Sequence, residues 1–185
     1  DGHGTMMATR SSVTHSSRNP GLTEADIEAY LEDNAGFTNF IWLDGVYGLE
    51  ITDMHIDGFV KFANDSTIVT MDTTDLLNWD VPASDIAEIY AATNTSGVPY
   101  NIVTVPLTQN DVTTTYGNNL GYKGSYCNYY IANEVVLVPT YNDPNDAVAL
   151  GIIQSIYPGR TVVGIDVRNL YEYGGMIHCV TQQQP

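Results

Sequence analysis

The chain has 185 residues, of which 43% are hydrophobic and 15% are charged, a composition typical of a globular protein. Its 22 Asp and Glu residues outnumber its 6 Lys and Arg residues, which gives a formal net charge of −16 at pH 7. No nucleic-acid partner is expected, because phosphate binding needs clustered basic side chains. The sequence also contains no apolar run of about 18 residues, the length that would predict a membrane-spanning helix.

The first half of the sequence predicts a strand, a helix and three more strands. Thr5 to Thr9 has the pattern of a short strand. A helix is predicted after Thr23, a favourable N-cap followed by acidic residues and by an apolar stripe at helical spacing. That stripe consists of Ile27, Tyr30 and Leu31. The later strands are predicted at Phe40 to Leu43, Phe59 to Phe62 and Ser66 to Met71, with a turn at Asn64-Asp65.

The rest of the sequence predicts two further helices and four more strands. The helices are predicted at about Ala83 to Thr93, with Ile86, Ile89 and Tyr90 on one face, and at about Asp146 to Tyr157. The strands are predicted at Asn101 to Val105, Tyr126 to Ile131, Glu134 to Pro139 and Thr161 to Val167, the middle two forming a hairpin. Units of roughly 40–60 residues predict a mixed α/β fold of a kind that can close radially, as propellers do.

Cys179 is the first candidate for chemistry. It ends a short apolar strand that is predicted to begin at Gly174 and Gly175, where glycines let a backbone approach a ligand closely. On a strand, the adjacent His178 would point to the opposite face, which predicts a structural role for it. The alternative is that Cys179 is an inert buried cysteine, since such residues behave as small hydrophobes.

His55 and Asp57 form the second candidate group. At positions i and i+2 of a strand they would share one face and address one small ligand, whereas the alternative is two unrelated surface groups. Deimination of a guanidinium needs a carboxylate to hold the cation, a thiolate to attack its carbon and a base to activate water.

The four histidines and two cysteines show no metal-ligand spacing, and phosphate-loop and GxSxG motifs are missing from the sequence, so no cofactor is expected. The negative charge would attract a small cationic guanidinium substrate, or else it serves only solubility.

Four segments resemble the agmatine deiminase family, which also contains a bacterial peptidylarginine deiminase branch. They are Tyr47 to Phe62 (YGLEITDMHIDGFVKF), Ser125 to Asn133 (SYCNYYIAN), Gly174 to Pro185 (GGMIHCVTQQQP) and the opening stretch from Asp1. The resemblance implies a pentein fold, a five-bladed pseudo-symmetric α/β propeller with the active site on its axis.

Residue roles also follow from the resemblance. It implies that Cys179 is the nucleophile, His55 the general acid/base and Asp57 a guanidinium-binding carboxylate. Gly174 and Gly175 would line the substrate pocket. Asn128 would lie near the site as a further substrate-binding residue.

The resemblance also bears on substrate and partners. The Gln-rich ending from Gln182 favours agmatine, although the segment from Asn118 to Gly124 lacks the arginine found in agmatine enzymes.

Residues 1–185 are expected to be the C-terminal part of one catalytic domain, because relatives carry upstream carboxylates that this sequence lacks. The expected partners are the missing N-terminal segment or chain and, through open strand edges, further copies in a homo-oligomer. Alternatives are a peptidylarginine deiminase and a non-catalytic binding or self-assembling protein. The low lysine content favours an extracellular location, and a standard agmatine deiminase would be cytoplasmic.

Overall fold

The computed structural model describes residues 1–184, so Pro185 of the last motif lies outside the described residues. The chain divides into two compact units. The N-terminal unit comprises residues 1–56 and 60–103, and the C-terminal unit comprises residues 57–59 and those from Thr104 onward. Each unit mixes helices with small sheets.

The N-terminal unit begins with a parallel two-stranded sheet. Strand β1 (Thr5–Thr9) pairs with β2 (Asn39–Leu43), and the short helix α1 (Arg10–Val13) and the longer helix α2 (Glu24–Ala35) lie between them in the chain. A parallel pair needs such a crossover, because its two strands run in the same direction. The predicted strand and helix positions are therefore confirmed here.

Helix α2 starts as predicted at Thr23. The Thr23 hydroxyl accepts a hydrogen bond from the Asp26 N–H and the Asp26 carboxylate accepts one from the Thr23 N–H, a complete capping box. Ile27 packs into a cluster with Ala8 and Trp42. Tyr30 was expected on the same apolar face, and that expectation is wrong, since 66% of it is exposed.

A second sheet contains β3 (Val60–Asn64), β4 (Thr67–Thr70) and β5 (Asn101–Thr104), in that order, and all of it except Thr104 belongs to the N-terminal unit. Strands β3 and β4 form the predicted antiparallel hairpin. Helix α4 (Ala83–Ala91) follows the predicted helix, with Ile86 and Ile89 buried. Tyr90 does not share their burial, because its ring is partly exposed while its hydroxyl donates to the Met71 carbonyl.

One helix of this unit was not predicted. Helix α3 (Thr73–Asn78) has only one buried residue, Leu76, so it carries no apolar periodicity to detect. Its signal is the N-cap, where the Asp72 carboxylate accepts a hydrogen bond from the Asp75 N–H at 2.8 Å.

The C-terminal unit contains a three-stranded mixed sheet. Strand β7 (Val135–Thr140) lies between β6 (Tyr130–Ile131), which is antiparallel to it, and β8 (Thr161–Asp166), which is parallel. Helix α5 (Asn145–Ile156) makes the crossover between the parallel strands, and the short helix α6 (Arg168–Tyr171) follows β8. These positions confirm the predicted helix, the last strand and the hairpin.

Two predictions in this unit are wrong in detail. The strand expected from Tyr126 covers only its last two residues, because four consecutive buried side chains, at residues 126–129, do not alternate between two faces. The final segment is not a strand, since His178–Val180 forms a single 3-10 turn.

The fold is therefore mixed α/β, as predicted, with open sheets of two, three and three strands among the described residues. None of those sheets closes on itself. No helix within residues 1–184 is long and apolar enough to cross a bilayer.

Candidate active site

Cys179, Asp57 and His178 meet in the C-terminal unit. Asp57 lies in the 3-10 turn Ile56–Gly58, and Cys179 lies in the turn His178–Val180. The sulfur of Cys179 is 3.6 Å from Asp57 Oδ2, and His178 Nδ1 is 2.8 Å from the same oxygen. One oxygen of the Asp57 carboxylate therefore contacts both side chains.

The placement of His178 corrects the prediction made for it. A strand would have turned His178 and Cys179 to opposite faces. In a 3-10 turn neighbouring side chains are only about 120° apart around the axis, so both can reach one partner. His178 is therefore part of the site, and sequence reasoning missed it because the backbone was taken to be extended.

Asn128 joins these residues through its side chain. Its Nδ2 donates to the Asp57 main-chain oxygen at 3.2 Å and to the Cys179 sulfur at 3.3 Å, and its Oδ1 accepts from the His178 N–H at 2.8 Å. The residue is fully buried. Asn128 thus lies at the site, and the hydrogen bonds of its amide hold the two turns together.

The thiol of Cys179 has a raised pKa. Cys179 is an exposed residue, yet loss of water around its sulfur is the largest cause that raises its pKa, and the charge of Asp57 raises the pKa further. Hydrogen bonds from the Met176 backbone and from Asn128 act in the opposite direction. At neutral pH the neutral thiol is therefore favoured.

The two glycines before Cys179 differ in whether their backbone conformation requires glycine. Gly174 has φ +82°, a left-handed conformation that favours glycine. At Gly175 an added Cβ would lie 3.5 Å from the Cβ of Cys179, an ordinary van der Waals contact. Both glycines lie beside the nucleophile candidate, but only Gly174 requires glycine for its backbone. Cys127, in contrast, is buried.

His55 is held by a different part of the chain. It is exposed, and it precedes the 3-10 turn, so the shared strand face predicted for His55 and Asp57 does not exist. His55 belongs to the N-terminal unit and Asp57 to the C-terminal unit. The His55 N–H donates to Thr52 Oγ1 at 3.1 Å.

The two residues before His55 adopt an unusual backbone. Asp53 and Met54 have φ values of 59° and 70°, which cost energy in residues other than glycine. The Ser11 hydroxyl donates to the Asp53 carbonyl at 2.7 Å, and the Thr9 hydroxyl donates to the Met54 carbonyl at 2.8 Å. Arg18 adds two bonds to the Asp53 carboxylate, at 2.6 and 2.9 Å. This network fixes the approach of the chain to His55.

No group of three or more His, Cys, Asp or Glu side chains in residues 1–184 is arranged to hold a metal ion. The site described above is built from a thiol, a carboxylate, an imidazole and an amide. Such a set can bind a small cation and attack it with sulfur.

Comparisons with known proteins place this arrangement in context. The family model for Porphyromonas-type peptidyl-arginine deiminase matches residues 1–185. A Streptomyces coelicolor protein named "Putative agmatine deiminase" is 36% identical over 191 residues, which cover 100% of this chain and 56% of the relative.

Solved structures agree with the sequence comparison. The agmatine deiminase of Enterococcus faecalis superposes with a TM-score of 0.85 at 28% identity, covering 100% of this chain and 55% of that one. The Porphyromonas gingivalis protein titled "Putative Arginine Deiminase" gives the same TM-score at 33% identity, covering 100% of this chain and 54% of that one. The chain spans about half the length of the relatives it matches.

Proposed function

The chain belongs to the Porphyromonas-type peptidyl-arginine deiminase family, and from this premise we propose that it carries the nucleophile of a guanidine deiminase. The observation that supports the proposal most is the position of the Cys179 sulfur, 3.6 Å from the Asp57 carboxylate. A cation held by that carboxylate would lie beside the sulfur. The sulfur would then be close to the central carbon of the guanidinium, which is the atom that it attacks.

Asp57 binds the guanidinium in this proposal. A planar guanidinium donates two parallel N–H bonds to a carboxylate, which fixes both its position and its orientation. The bound cation also offsets the negative charge that raises the pKa of Cys179. Substrate binding therefore shifts the thiol towards the thiolate at the moment when the nucleophile is needed.

The reaction proceeds in two halves. The Cys179 thiolate forms a C–S bond with the guanidinium carbon, and a C–N bond breaks to release ammonia after that nitrogen gains a proton from an acid. A covalent thiouronium remains on the sulfur. Water then forms a C–O bond to the same carbon while the C–S bond breaks, so the thiolate is restored and a ureido product leaves. We assign the proton transfers to His55, because an imidazole can both donate and accept a proton.

The rest of the site is proposed to lie in the remaining half of the protein. Removal of a planar cation from water needs more than one carboxylate, and Asp57 is the one that the motif supplies here. We propose that residues 1–185 form the C-terminal part of one pentein-type, five-bladed domain. The missing segment or chain would supply a second carboxylate and an acidic partner for His55, and open strand edges would favour a homo-oligomer.

Agmatine is the proposed substrate, with hydrolysis to N-carbamoylputrescine and ammonia. The support is that the relatives at 36% and 28% identity bear the name agmatine deiminase. The family model carries the name of a peptidylarginine enzyme, so arginyl peptides are the alternative substrate that an assay must include.

The test is ammonia release by the full-length protein from agmatine and from an arginyl peptide. We expect turnover of agmatine, its loss in Cys179→Ser, and near-normal turnover in Cys127→Ser, which removes the buried sulfur. Turnover of the peptide alone would overturn the substrate assignment. Turnover of neither, in a folded protein, would favour a non-catalytic binding protein.

A further inference from the structure

His178 is anchored to the site by main chain and side chain together. Its N–H lies 2.8 Å from Asn128 Oδ1 and 3.2 Å from the Asn128 carbonyl. Its Nδ1 lies 2.8 Å from Asp57 Oδ2. Because one residue contacts both the buried amide and the carboxylate, its ring has little freedom to turn away.

The chemistry of the ring fixes the direction of the bond to Asp57. A carboxylate accepts hydrogen bonds and cannot donate them, so the proton of this bond lies on His178 Nδ1. The Asp57 side chain is 18% exposed and that of His178 is 35% exposed, which leaves the bond only partly screened by water. It is therefore stronger than a bond between two surface groups.

Two donors on the same oxygen have two consequences for Asp57. The ring Nδ1–H of His178 and the Cys179 thiol both reach Oδ2, and together they restrain rotation of the carboxylate. The ring Nδ1–H of His178 also offsets part of the negative charge of the Asp57 carboxylate, which would otherwise act on the Cys179 sulfur. The titratable side chains of this contact network are His178, Asp57 and Cys179.

We propose that His178 is a positioning residue for deimination: its Nδ1–H holds the Asp57 carboxylate ready for the guanidinium and moderates the effect of that carboxylate on the Cys179 thiol. This proposal rests on the proposed function for its substrate. Its effect on the thiol does not require turnover, so the two can be tested apart.

The experiment compares two variants of similar shape. In His178→Asn the amide Nδ2 can take the place of the ring Nδ1 and donate to Asp57, whereas His178→Leu has similar bulk without a donor. The first readout is the rate of Cys179 alkylation by iodoacetamide against pH in the full-length protein carrying Cys127→Ser. We expect the midpoint to move to higher pH in His178→Leu by about one unit, a tenfold loss of thiolate at neutral pH, and to stay near wild type in His178→Asn.

The second readout is steady-state kinetics with agmatine. Loss of the bond should raise KM roughly tenfold with a smaller effect on kcat, because a freely rotating carboxylate binds the cation less well in the ground state. The exposed His3, replaced by Leu in the same background, serves as the control for removal of an imidazole.

The outcomes separate the two proposals. An unchanged alkylation midpoint and KM in a folded His178→Leu protein would overturn the positioning role, and so would equal shifts in the Asn and Leu variants. If the Leu variant fails to fold, His178→Ala replaces it in the same comparison. A shift of the midpoint in a protein that turns over no guanidine would support the role of His178 and count against the proposed function.

Discussion

The side-chain amide of Asn128 lies 3.3 Å from the Cys179 sulfur and 3.2 Å from the main-chain oxygen of Asp57. One fully buried residue therefore links the turn that carries Cys179 to the turn that carries Asp57. Since the two turns are about 120 residues apart in sequence, their relative position depends on contacts of this kind.

Asn128→Ala should raise the pKa of Cys179. The Asn128 amide is among the groups that lower this pKa, so without it the thiol gives up its proton less readily. The variant should also be less stable by about 1–3 kcal/mol, because the buried Asn128 amide no longer bonds to the Asp57 carbonyl and to the main-chain N–H of His178. Alkylation rate against pH and urea unfolding measure the two effects. Asn133→Ala, at an exposed amide, should change neither, and an unaltered alkylation profile in Asn128→Ala would refute the prediction.

Asp57→Asn should change thiol reactivity and turnover in opposite directions. The Asp57 charge raises the pKa of Cys179, so its removal lowers that pKa and increases the thiolate fraction at neutral pH. Turnover should fall about 100-fold or more, because the substrate cation loses its paired anion at a cost of several kcal/mol. Alkylation kinetics and ammonia release measure the pair.

Asp111→Asn, at an exposed carboxylate, is the matched control for this loss of charge. A slower alkylation at neutral pH in Asp57→Asn, or turnover reduced only a few-fold, would move Asp57 to a structural role.

Tyr141→Phe should destabilise the segment before Cys179. The Tyr141 hydroxyl donates to the Ser125 carbonyl at 2.7 Å and lies 2.9 Å from the Met176 sulfur, so it ties that segment to the chain before Asn128. Its removal leaves a buried carbonyl short of a donor, which should cost about 1–2 kcal/mol in the free energy of unfolding. Tyr173→Phe, at a ring that is 79% exposed, should cost almost nothing in the same denaturation experiment. Equal stability of the two variants would contradict this account.

The loop before His55 should contribute less to the free energy of unfolding at acidic pH. The Gly48 N–H and then the guanidinium of Arg18 lower the pKa of Asp53 below its usual value. A lowered pKa in the folded state contributes stability above the unfolded value, and the contribution is lost as the pH falls through the folded value. Unfolding free energy measured below about pH 4 should therefore drop less steeply in Asp53→Asn than in wild type. Identical slopes for the two proteins would show that Asp53 does not contribute.

Local signals in the sequence predicted much of the fold. Thr23 with Asp26 was recognised as a helix start because capping depends on neighbours within one turn. The hairpin of β3 and β4 and the crossover helix α5 carried equally local patterns. Helix α3 was missed because a six-residue helix with one buried side chain has no periodicity to read.

The candidate site was harder to predict because it depends on backbone geometry. The motifs made Cys179, His55 and Asp57 candidates for the site, and their roles stay predictions. The contact of His178 with Asp57 was not, because an extended chain was assumed where the structure has a 3-10 turn. Arg18 and Asp53 are 35 residues apart, so no local pattern could reveal their ion pair or the left-handed backbone that it supports.

The proposed mechanism requires a covalent bond between Cys179 and the guanidinium carbon. The direct measurement is mass spectrometry of the full-length protein after a rapid acid quench during turnover of agmatine. We predict that the peptide containing Cys179 gains the mass of agmatine minus ammonia, that the peptide containing Cys127 gains nothing, and that Cys179→Ser abolishes the adduct. Full turnover without any adduct on Cys179, or an undiminished rate of ammonia release in Cys179→Ser, would contradict it.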